Sequence, residues 1–183
     1  MFPFKYKNFN GIVLNAYFNA NIVKIDLGAI KTNYIVIIFY PLDFTFVCPT
    51  EIKRFSELKN KFDQLDTTVL FCSNDSVYSH KAWCTRSEKD DGIGAQAWPM
   101  LSDKRNVLSG ALGLYDSEEG HVFRSTVIYD NKEKKIKHLS VNDDSIGRST
   151  SEVLRIIEAC RFNAEYGKIC PVDFLAKKEA EKE

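Results

Sequence analysis

The amino-acid sequence predicts an α/β domain in which helices pack against a central sheet, and three observations carry this prediction. Two continuous apolar runs, at residues 35–40 and 67–72, flank a segment whose apolar residues recur every three or four positions. Two more strand-like segments follow at residues 122–129 and 136–141, and an amphipathic helical pattern comes after them. This order of elements is typical of a layered α/β sandwich.

The first strand and the first helix are separated by a short loop. Residues 35–40 are all β-branched or aromatic, as expected for a strand buried on both faces, and Pro41 ends the run. Pro49 suits the first turn of a helix, because its missing N–H would have no intrahelical partner there. The core-facing stripe of this helix consists of Ile52, Phe55, Leu58, Phe62 and Leu65.

The second half of the chain predicts three more helices beside the strand pair. Two of them cover residues 77–87 and 102–114, and the second ends near Gly113. The last helix opens with a capping box at residues 149–152 and ends at Gly167. Its apolar stripe consists of Val153, Ile156, Ile157 and Cys160.

Size and charge exclude several classes of protein. With 183 residues, the chain can form one domain without a disulfide framework or a structural metal. It has 25 basic and 25 acidic residues, and this balance argues against a protein that tracks nucleic-acid phosphates. The longest apolar run, 35–40, is too short to span a bilayer. The first thirty residues contain no signal-peptide pattern, so we expect a cytoplasmic protein. The alternative is a mitochondrial protein from which a transit peptide has been removed.

The cysteines and histidines narrow the chemistry further. The chain contains Cys48, Cys72, Cys84, Cys160 and Cys170, together with His80, His121 and His138. There is no C-x-x-C pair and no metal-ligand spacing, so we expect neither a zinc site nor a thioredoxin-type dithiol. The odd number of cysteines favours a reducing compartment. The reactivity of each thiol then has to be inferred from the residues around it.

A glycine-rich segment at residues 92–97 matches the G-x-G-x-x-A dinucleotide pattern. That pattern has meaning only where it follows a strand and opens a helix. Charged residues precede it here and Trp98-Pro99 end it, so we predict a loop.

Cys48 stands at the predicted start of the first helix. Unpaired N–H groups and the helix dipole at such a position favour an anion, so a thiolate is stabilised there. The thiolate is the reactive form of cysteine. The alternative is an inert buried cysteine that happens to precede a helix, and local physics alone leaves both interpretations open.

The segment around Cys48 resembles the active site of the peroxiredoxins. Pro41, Thr45 and Cys48 match their P-x-x-x-T-x-x-C pattern, and residues 46–52 match the version found in typical two-cysteine members, of the thioredoxin peroxidase or alkyl hydroperoxide reductase C type. Further family motifs follow in the family's order at residues 75–76, 80–83, 102–103, 123–124, 141–143, 147–149 and 167–171. The resemblance therefore covers almost the whole chain.

This resemblance implies a thioredoxin-like fold with a central mixed β-sheet flanked by helices. It also implies a thiol-dependent peroxidase that reduces hydrogen peroxide and organic hydroperoxides in antioxidant defence and redox homeostasis. Cys48 is expected to attack the peroxide and become a sulfenic acid, so no cofactor is expected beyond the redox-active cysteines. Thr45 is expected to hydrogen-bond the peroxide and the thiolate, and Pro41 to shield the pocket from water. Arg124 is expected to hold the thiolate and polarise the oxygen–oxygen bond.

The resemblance also implies supporting roles for three residues. Glu51 and Arg148 correspond to an outer pair that orients the active site, and Trp83 to a tryptophan near the active-site loop. Plainer alternatives exist: Arg148 as a solvated turn residue, Arg124 as a strand-edge surface residue, and Trp83 as a packed aromatic.

Cys170 is expected to be the resolving cysteine. In the family it attacks the sulfenic acid of the partner subunit, within a homodimer that can assemble into a decamer, and thioredoxin or a related dithiol then reduces the disulfide. The resemblance divides the chain into a peroxidase domain, residues 1–166, and a C-terminal arm, residues 167–183. A disulfide needs Cα atoms about 4.4–6.8 Å apart, so we expect the first turn after Cys48 to unwind in each cycle.

The other thiols and the end of the chain carry further expectations. Cys72 and Cys160 are predicted to be core residues, while the position of Cys84 is less defined. The sequence ends thirteen residues after Cys170, without the longer C-terminal helix of peroxide-sensitive members. We therefore expect Cys48 to resist overoxidation by peroxide better than the corresponding cysteine of the peroxide-sensitive members.

Two other classes of function stay open. One is a ring-forming chaperone, which would protect unfolded clients even when Cys48 is replaced by serine. The other is a thiol–disulfide oxidoreductase, which the absence of C-x-x-C disfavours.

Overall fold

The computed structural model describes residues 8–175. Its strands are β1 (Val13–Phe18), β2 (Asn21–Asp26), β3 (Tyr34–Phe39), β4 (Thr67–Ser73), β5 (Met100–Ser102), β6 (Tyr115–Asp116), β7 (His121–Val122), β8 (Ser125–Asp130) and β9 (Lys135–Val141). Its α-helices are α1 (Cys48–Glu57), α2 (Lys59–Gln64), α3 (Val77–Thr85), α4 (Val107–Ala111) and α5 (Thr150–Tyr166). Within the described part, no helix combines the length and the apolar character needed to cross a membrane.

Seven strands form one mixed sheet in the order β2-β1-β5-β4-β3-β8-β9, and β6 and β7 pair separately. At its centre, β3 lies parallel to β4 and antiparallel to β8. Alternate residues of β3 enter two different apolar clusters, one on each face of the sheet. Helices α1, α2, α3 and α5 contribute to the cluster on one face, and α4 contributes to the cluster on the other. The predicted α/β layers, with a central strand buried on both faces, are confirmed.

Two predicted elements are wrong in extent. The helix expected over residues 102–114 forms only as α4, because residue 102 belongs to β5 and the Asp103 carboxylate accepts the N–H groups of the next turn at 2.7–3.2 Å. The strand expected over residues 122–129 is interrupted between β7 and β8. This interruption contains Arg124, whose backbone carbonyl accepts the N–H of Asn142 at 2.8 Å.

Smaller differences concern helix ends and edge strands. The first helix begins at Cys48 and is divided at Leu58 into α1 and α2, and α3 ends at residue 85. Ser149 caps α5 by accepting the N–H of Glu152 at 3.2 Å, but the Glu152 side chain pairs with Arg155, so only half of the predicted capping box forms. Gly167 ends α5 with a φ of 66°, as predicted. Strand β1 and its neighbour β2, which forms one edge of the sheet, were not predicted.

The glycine-rich segment at residues 92–97 is a loop, which confirms the prediction. A Cβ at Gly92 would lie 2.0 Å from the carbonyl oxygen of Arg86, so backbone packing requires glycine there. The charged stretch at residues 177–183, which is part of the predicted arm, lies outside the described residues.

Candidate active site

Cys48 is the first residue of α1, and Pro49 lies in the first turn, as the sequence predicts. The loop of residues 41–47 joins β3 to this helix. The Cys48 side chain is completely buried. Its sulfur therefore lies at a helix N-terminus that is shielded from water, where backbone N–H groups favour negative charge.

Arg124 lies beside this sulfur. Both of its terminal nitrogens, Nη1 and Nη2, are 3.5 Å from Cys48 Sγ. The carbonyl oxygen of Asp144 accepts hydrogen bonds from Nε at 3.2 Å and from Nη2 at 2.8 Å, which fixes the plane of the guanidinium. Only 2% of Arg124 is exposed, so the alternative of a surface arginine does not hold. A permanent charge with fixed donor directions thus faces the buried sulfur.

Glu51 lies one turn into α1 and joins two arginines. Its carboxylate accepts a hydrogen bond from Arg124 Nη1 at 2.6 Å. The same carboxylate accepts the Arg148 backbone N–H at 2.7 Å, Nε at 2.9 Å and Nη2 at 2.7 Å. Arg148 Nη1 donates to the carbonyl oxygens of Phe39 and Ser125, both at 2.7 Å, so this arginine also ties α1 to two strands of the sheet.

We call Cys48, Glu51, Arg124 and Arg148 the arginine cluster. Burial alone would raise the pKa of Glu51, but its hydrogen bonds to Arg148 and the two positive charges outweigh this and lower it. Burial alone would lower the pKa of Arg124, but the neighbouring Cys48 and Glu51 raise it. Two guanidinium groups face one carboxylate, so the charged residues beside the Cys48 sulfur carry an excess of positive charge.

The loop before Cys48 places Pro41 and Thr45. Pro41 is buried and Thr45 is half-buried. The Thr45 hydroxyl donates to the carbonyl oxygen of Leu42 at 2.9 Å. A hydroxyl has one hydrogen, so in this arrangement Thr45 offers only its lone pairs to a further partner.

Sequence reasoning missed a buried network that holds this loop. Asp43 lies in the loop, and its carboxylate accepts the Tyr40 hydroxyl at 2.8 Å and contacts His80 Nδ1 at 2.8 Å. His80 Nε2 lies 3.2 Å from the carbonyl oxygen of Leu101. Both ring nitrogens of His80 therefore face oxygen atoms, one on the loop and one on β5. The sequence gives no sign of this contact, because Asp43 and His80 are 37 positions apart and no spacing rule connects them.

Trp83 extends this support with an aromatic contact. Its ring centroid lies 6.2 Å from that of Tyr40 and 5.7 Å from that of the loop residue Phe44. Its Nε1 donates to the carbonyl oxygen of Asp91 at 2.9 Å. Trp83 is thus a packed aromatic residue, and it also contacts the active-site loop. Both interpretations given from the sequence, a packed aromatic and a tryptophan near the loop, describe its position.

The four remaining cysteines are outside the arginine cluster, and the structure contains no disulfide among the five cysteines that it describes. Cys72 and Cys84 are buried, and burial raises the pKa of both thiols, that of Cys84 to about 12. Cys160 is only half-buried, so the predicted core position is only partly correct. Cys170 lies against α5, with Sγ 3.4 Å from the carbonyl oxygen of Ala159.

Comparison with known proteins places the chain in a family. Residues 5–139 match the model of the AhpC/TSA family. An inferred thioredoxin peroxidase of Encephalitozoon cuniculi is 45% identical over 177 residues, which cover 97% of this chain and 98% of the relative. The chain belongs to the AhpC/TSA family. It is an enzyme of the peroxiredoxin class.

Solved peroxiredoxin structures agree with this fold. The reduced 2-Cys peroxiredoxin of Plasmodium vivax superposes with a TM-score of 0.84 at 34% identity, over 88% of this chain and 84% of that one. AhpC of Enterococcus faecalis superposes with a TM-score of 0.80 at 35% identity, over 90% of this chain and 98% of that one. The expected thioredoxin-like arrangement of a mixed sheet with flanking helices is therefore confirmed for this peroxiredoxin.

Proposed function

We propose that this peroxiredoxin reduces hydrogen peroxide and organic hydroperoxides with Cys48 as the nucleophile. The observation that carries the proposal is the pair of Arg124 nitrogens, each 3.5 Å from a buried sulfur at a helix N-terminus. The names of the relatives support the same reaction.

The proposed chemistry is a displacement at oxygen. The Cys48 thiolate attacks one peroxide oxygen, the oxygen–oxygen bond breaks, and Cys48 becomes a sulfenic acid. The second oxygen leaves as hydroxide or alkoxide and takes up a proton. Arg124 cannot lose its charge, so it stabilises negative charge as that charge moves from sulfur to the departing oxygen. Glu51 and Arg148 hold Arg124 and α1 in place without touching the substrate.

Thr45→Val tests the role of the loop hydroxyl. Valine keeps the shape of threonine and removes the oxygen, so the second-order rate constant for hydrogen peroxide should fall about tenfold, the equivalent of one hydrogen bond. Thr45→Ser keeps the hydroxyl and should retain most of the rate. Stopped-flow mixing with peroxide measures both variants, and equal rates in Val and Ser would remove the hydroxyl from the mechanism.

Resolution is proposed to use Cys170 of a second copy of the chain, giving an intersubunit disulfide within a homodimer, which can assemble into a decamer. Cys48 is fully buried, so α1 must open for that bond to form. At the start of α1, Val47 provides no side-chain cap, and its carbonyl accepts the Glu51 N–H at 3.4 Å, the Thr50 N–H at 3.1 Å and the Thr50 hydroxyl at 2.6 Å. These are the bonds that the opening must break. Thioredoxin or a related dithiol then reduces the disulfide by exchange, and the cytoplasm is the proposed compartment.

Cys170→Ser separates the first chemical step from turnover. The variant should still form the Cys48 sulfenic acid, but with thioredoxin and its reductase it should consume no more than about one equivalent of peroxide per subunit. Dimedone labelling and a coupled NADPH assay report the two steps. Cys84→Ser is the matched control, and it should turn over like the wild type. Sustained turnover of Cys170→Ser would contradict its role as the resolving residue.

A further inference from the structure

A groove of about 690 Å³ lies between α5 and the described part of the arm, residues 167–175, and both Cys160 and Cys170 line it. Cys170 Sγ is 3.4 Å from the carbonyl oxygen of Ala159, which belongs to the peptide group leading into Cys160. Standard peptide dimensions therefore place this sulfur within about 6 Å of the Cys160 Cα. Two thiols from different elements thus share one partly open groove, away from the arginine cluster.

The described part of the arm folds back along α5. Gly167 turns the chain with a φ of 66°, and Asn163 Nδ2 donates to the carbonyl oxygen of Lys168 at 2.9 Å. The rings of Phe162 and Phe174 lie 5.0 Å apart. Between these contacts, Ile169 and Val172 are 90% and 88% exposed. These two side chains would therefore lose little packing if the stretch shifted by the short distance that a disulfide with Cys160 requires.

We propose that Cys160 is a third redox-active thiol, which takes Cys170 from the intersubunit disulfide and forms an intrachain disulfide with it. The Cys160 thiolate attacks Cys170 Sγ, the bond between Cys170 and the partner's Cys48 breaks, and that Cys48 leaves as a thiolate. The proton of Cys160 goes to solvent, and no additional oxidant is needed. The inference rests on the proposed function, because Cys48 supplies the oxidising equivalents.

The surroundings of Cys160 favour exchange over direct oxidation by peroxide. Burial raises the pKa of Cys160; Asp130, Glu133 and Cys170 add to the effect, and Lys137 opposes it. A raised pKa lowers the thiolate fraction and slows both reactions, but a disulfide at Cys170 of the same chain is held at high effective concentration, whereas peroxide is not. The exchange moves the oxidised site from a buried pocket to an open groove and restores Cys48 to its reactive form.

Peptide mapping tests this directly. Trypsin separates Cys160 (residues 156–161), Cys170 (residues 169–177) and Cys48 (residues 32–53), so each disulfide yields a distinct linked pair of peptides. The experiment compares the wild type with Cys160→Ser, Cys48→Ser and Cys84→Ser. Each protein is treated with one equivalent of hydrogen peroxide without reductant, and is then acid-quenched, alkylated and digested. Exchange between two unstrained disulfides is nearly isoenergetic, so about half of the oxidised wild-type arms should carry the Cys160–Cys170 link.

The variants distinguish the outcomes. Cys160→Ser should lose the intrachain link and show about twice as much Cys48–Cys170 link as the wild type, since no exchange competes. Cys84→Ser should match the wild type, and Cys48→Ser should show neither link. A wild type that contains only the Cys48–Cys170 link would overturn the inference and leave the proposed function standing. Absence of both links from every variant would overturn both, and a Cys160–Cys170 link at the wild-type level in Cys48→Ser would exclude the exchange route.

Discussion

Replacing Cys48 by serine is expected to reduce the rate of hydrogen peroxide reduction by about 10⁴-fold or more, a loss in the range seen when a covalent nucleophile is removed. A serine hydroxyl is a far weaker acid than a thiol, so the variant lacks the anionic nucleophile that the proposed reaction needs. The serine oxygen can still accept hydrogen bonds from Arg124, which lies 3.5 Å from the native sulfur, so the fold should survive. Stopped-flow peroxide consumption gives the rate, and circular dichroism confirms folding.

Cys84→Ser provides the matched control for this loss. Cys84 is also buried, but its sulfur lies 3.4 Å from that of Met100, and burial raises its pKa to about 12. Its replacement should leave the peroxide rate within about twofold of the wild type, because substitutions outside the reacting groups have small effects on the barrier. Comparable losses in both variants would mean that folding, and not the identity of the nucleophile, had been measured.

Glu51→Gln is expected to reduce the free energy of unfolding by about 3 kcal/mol or more, because the change leaves two buried guanidinium groups without their carboxylate. For a chain of this size, that corresponds to a fall in Tm of roughly 6–12 °C. The amide also offers N–H donors to Arg124 and Arg148, which are donors themselves, so the peroxide rate should fall together with stability. Urea unfolding and stopped-flow kinetics test the two effects.

Glu57→Gln, on the same helix, is the control for Glu51→Gln. Glu57 also pairs with an arginine, Arg54, at 2.8 Å, but both side chains are more than half exposed. An exposed pair contributes between zero and about 1 kcal/mol, so this variant should unfold almost like the wild type. A similar loss in both variants would contradict the special position of Glu51.

The pH dependence of the Glu51→Gln effect follows from its carboxylate. The pKa of Glu51 is lower in the folded chain than its ordinary value. Its contribution to stability is therefore complete above the unfolded-state pKa of about 4.3 and is lost as the pH falls through the lower folded value. The stability gap between wild type and Glu51→Gln should be constant from neutral pH to about pH 5 and should narrow below about pH 4. A stability gap that widens in acid would contradict a lowered pKa of Glu51 in the folded chain.

The central elements of the fold could be predicted because their residues match their surroundings. The run at residues 35–40 is uniformly apolar, and β3 is buried on both faces. By contrast, β2 mixes charged and apolar residues because it is an edge strand with no fully buried position. The helix expected over residues 102–114 failed because Asp103 provides N-terminal capping from a position outside the helix.

The candidate site was less accessible to local reasoning. The position of Cys48 at a helix start followed from the pattern, but that alone did not exclude an inert cysteine. The contacts that distinguish the two join residues 73 and 97 positions apart, from Glu51 to Arg124 and from Glu51 to Arg148. Only the resemblance to a family proposed those pairs, and only the fold gives their distances. The proximity of Cys170 to Cys160 had no signal in the sequence, because it depends on the turn at Gly167.

The hydrogen bonds that hold Glu51 limit how far the Cys48 sulfur can move when α1 opens. Four hydrogen bonds to two arginines hold this carboxylate, so an opening of α1 that begins at Cys48 should stop before residue 51. Three residues, even fully extended, span only about 10 Å. Cys48 can therefore move only a short distance towards the proposed disulfide, and we expect the segment around Cys170 to cover most of the separation.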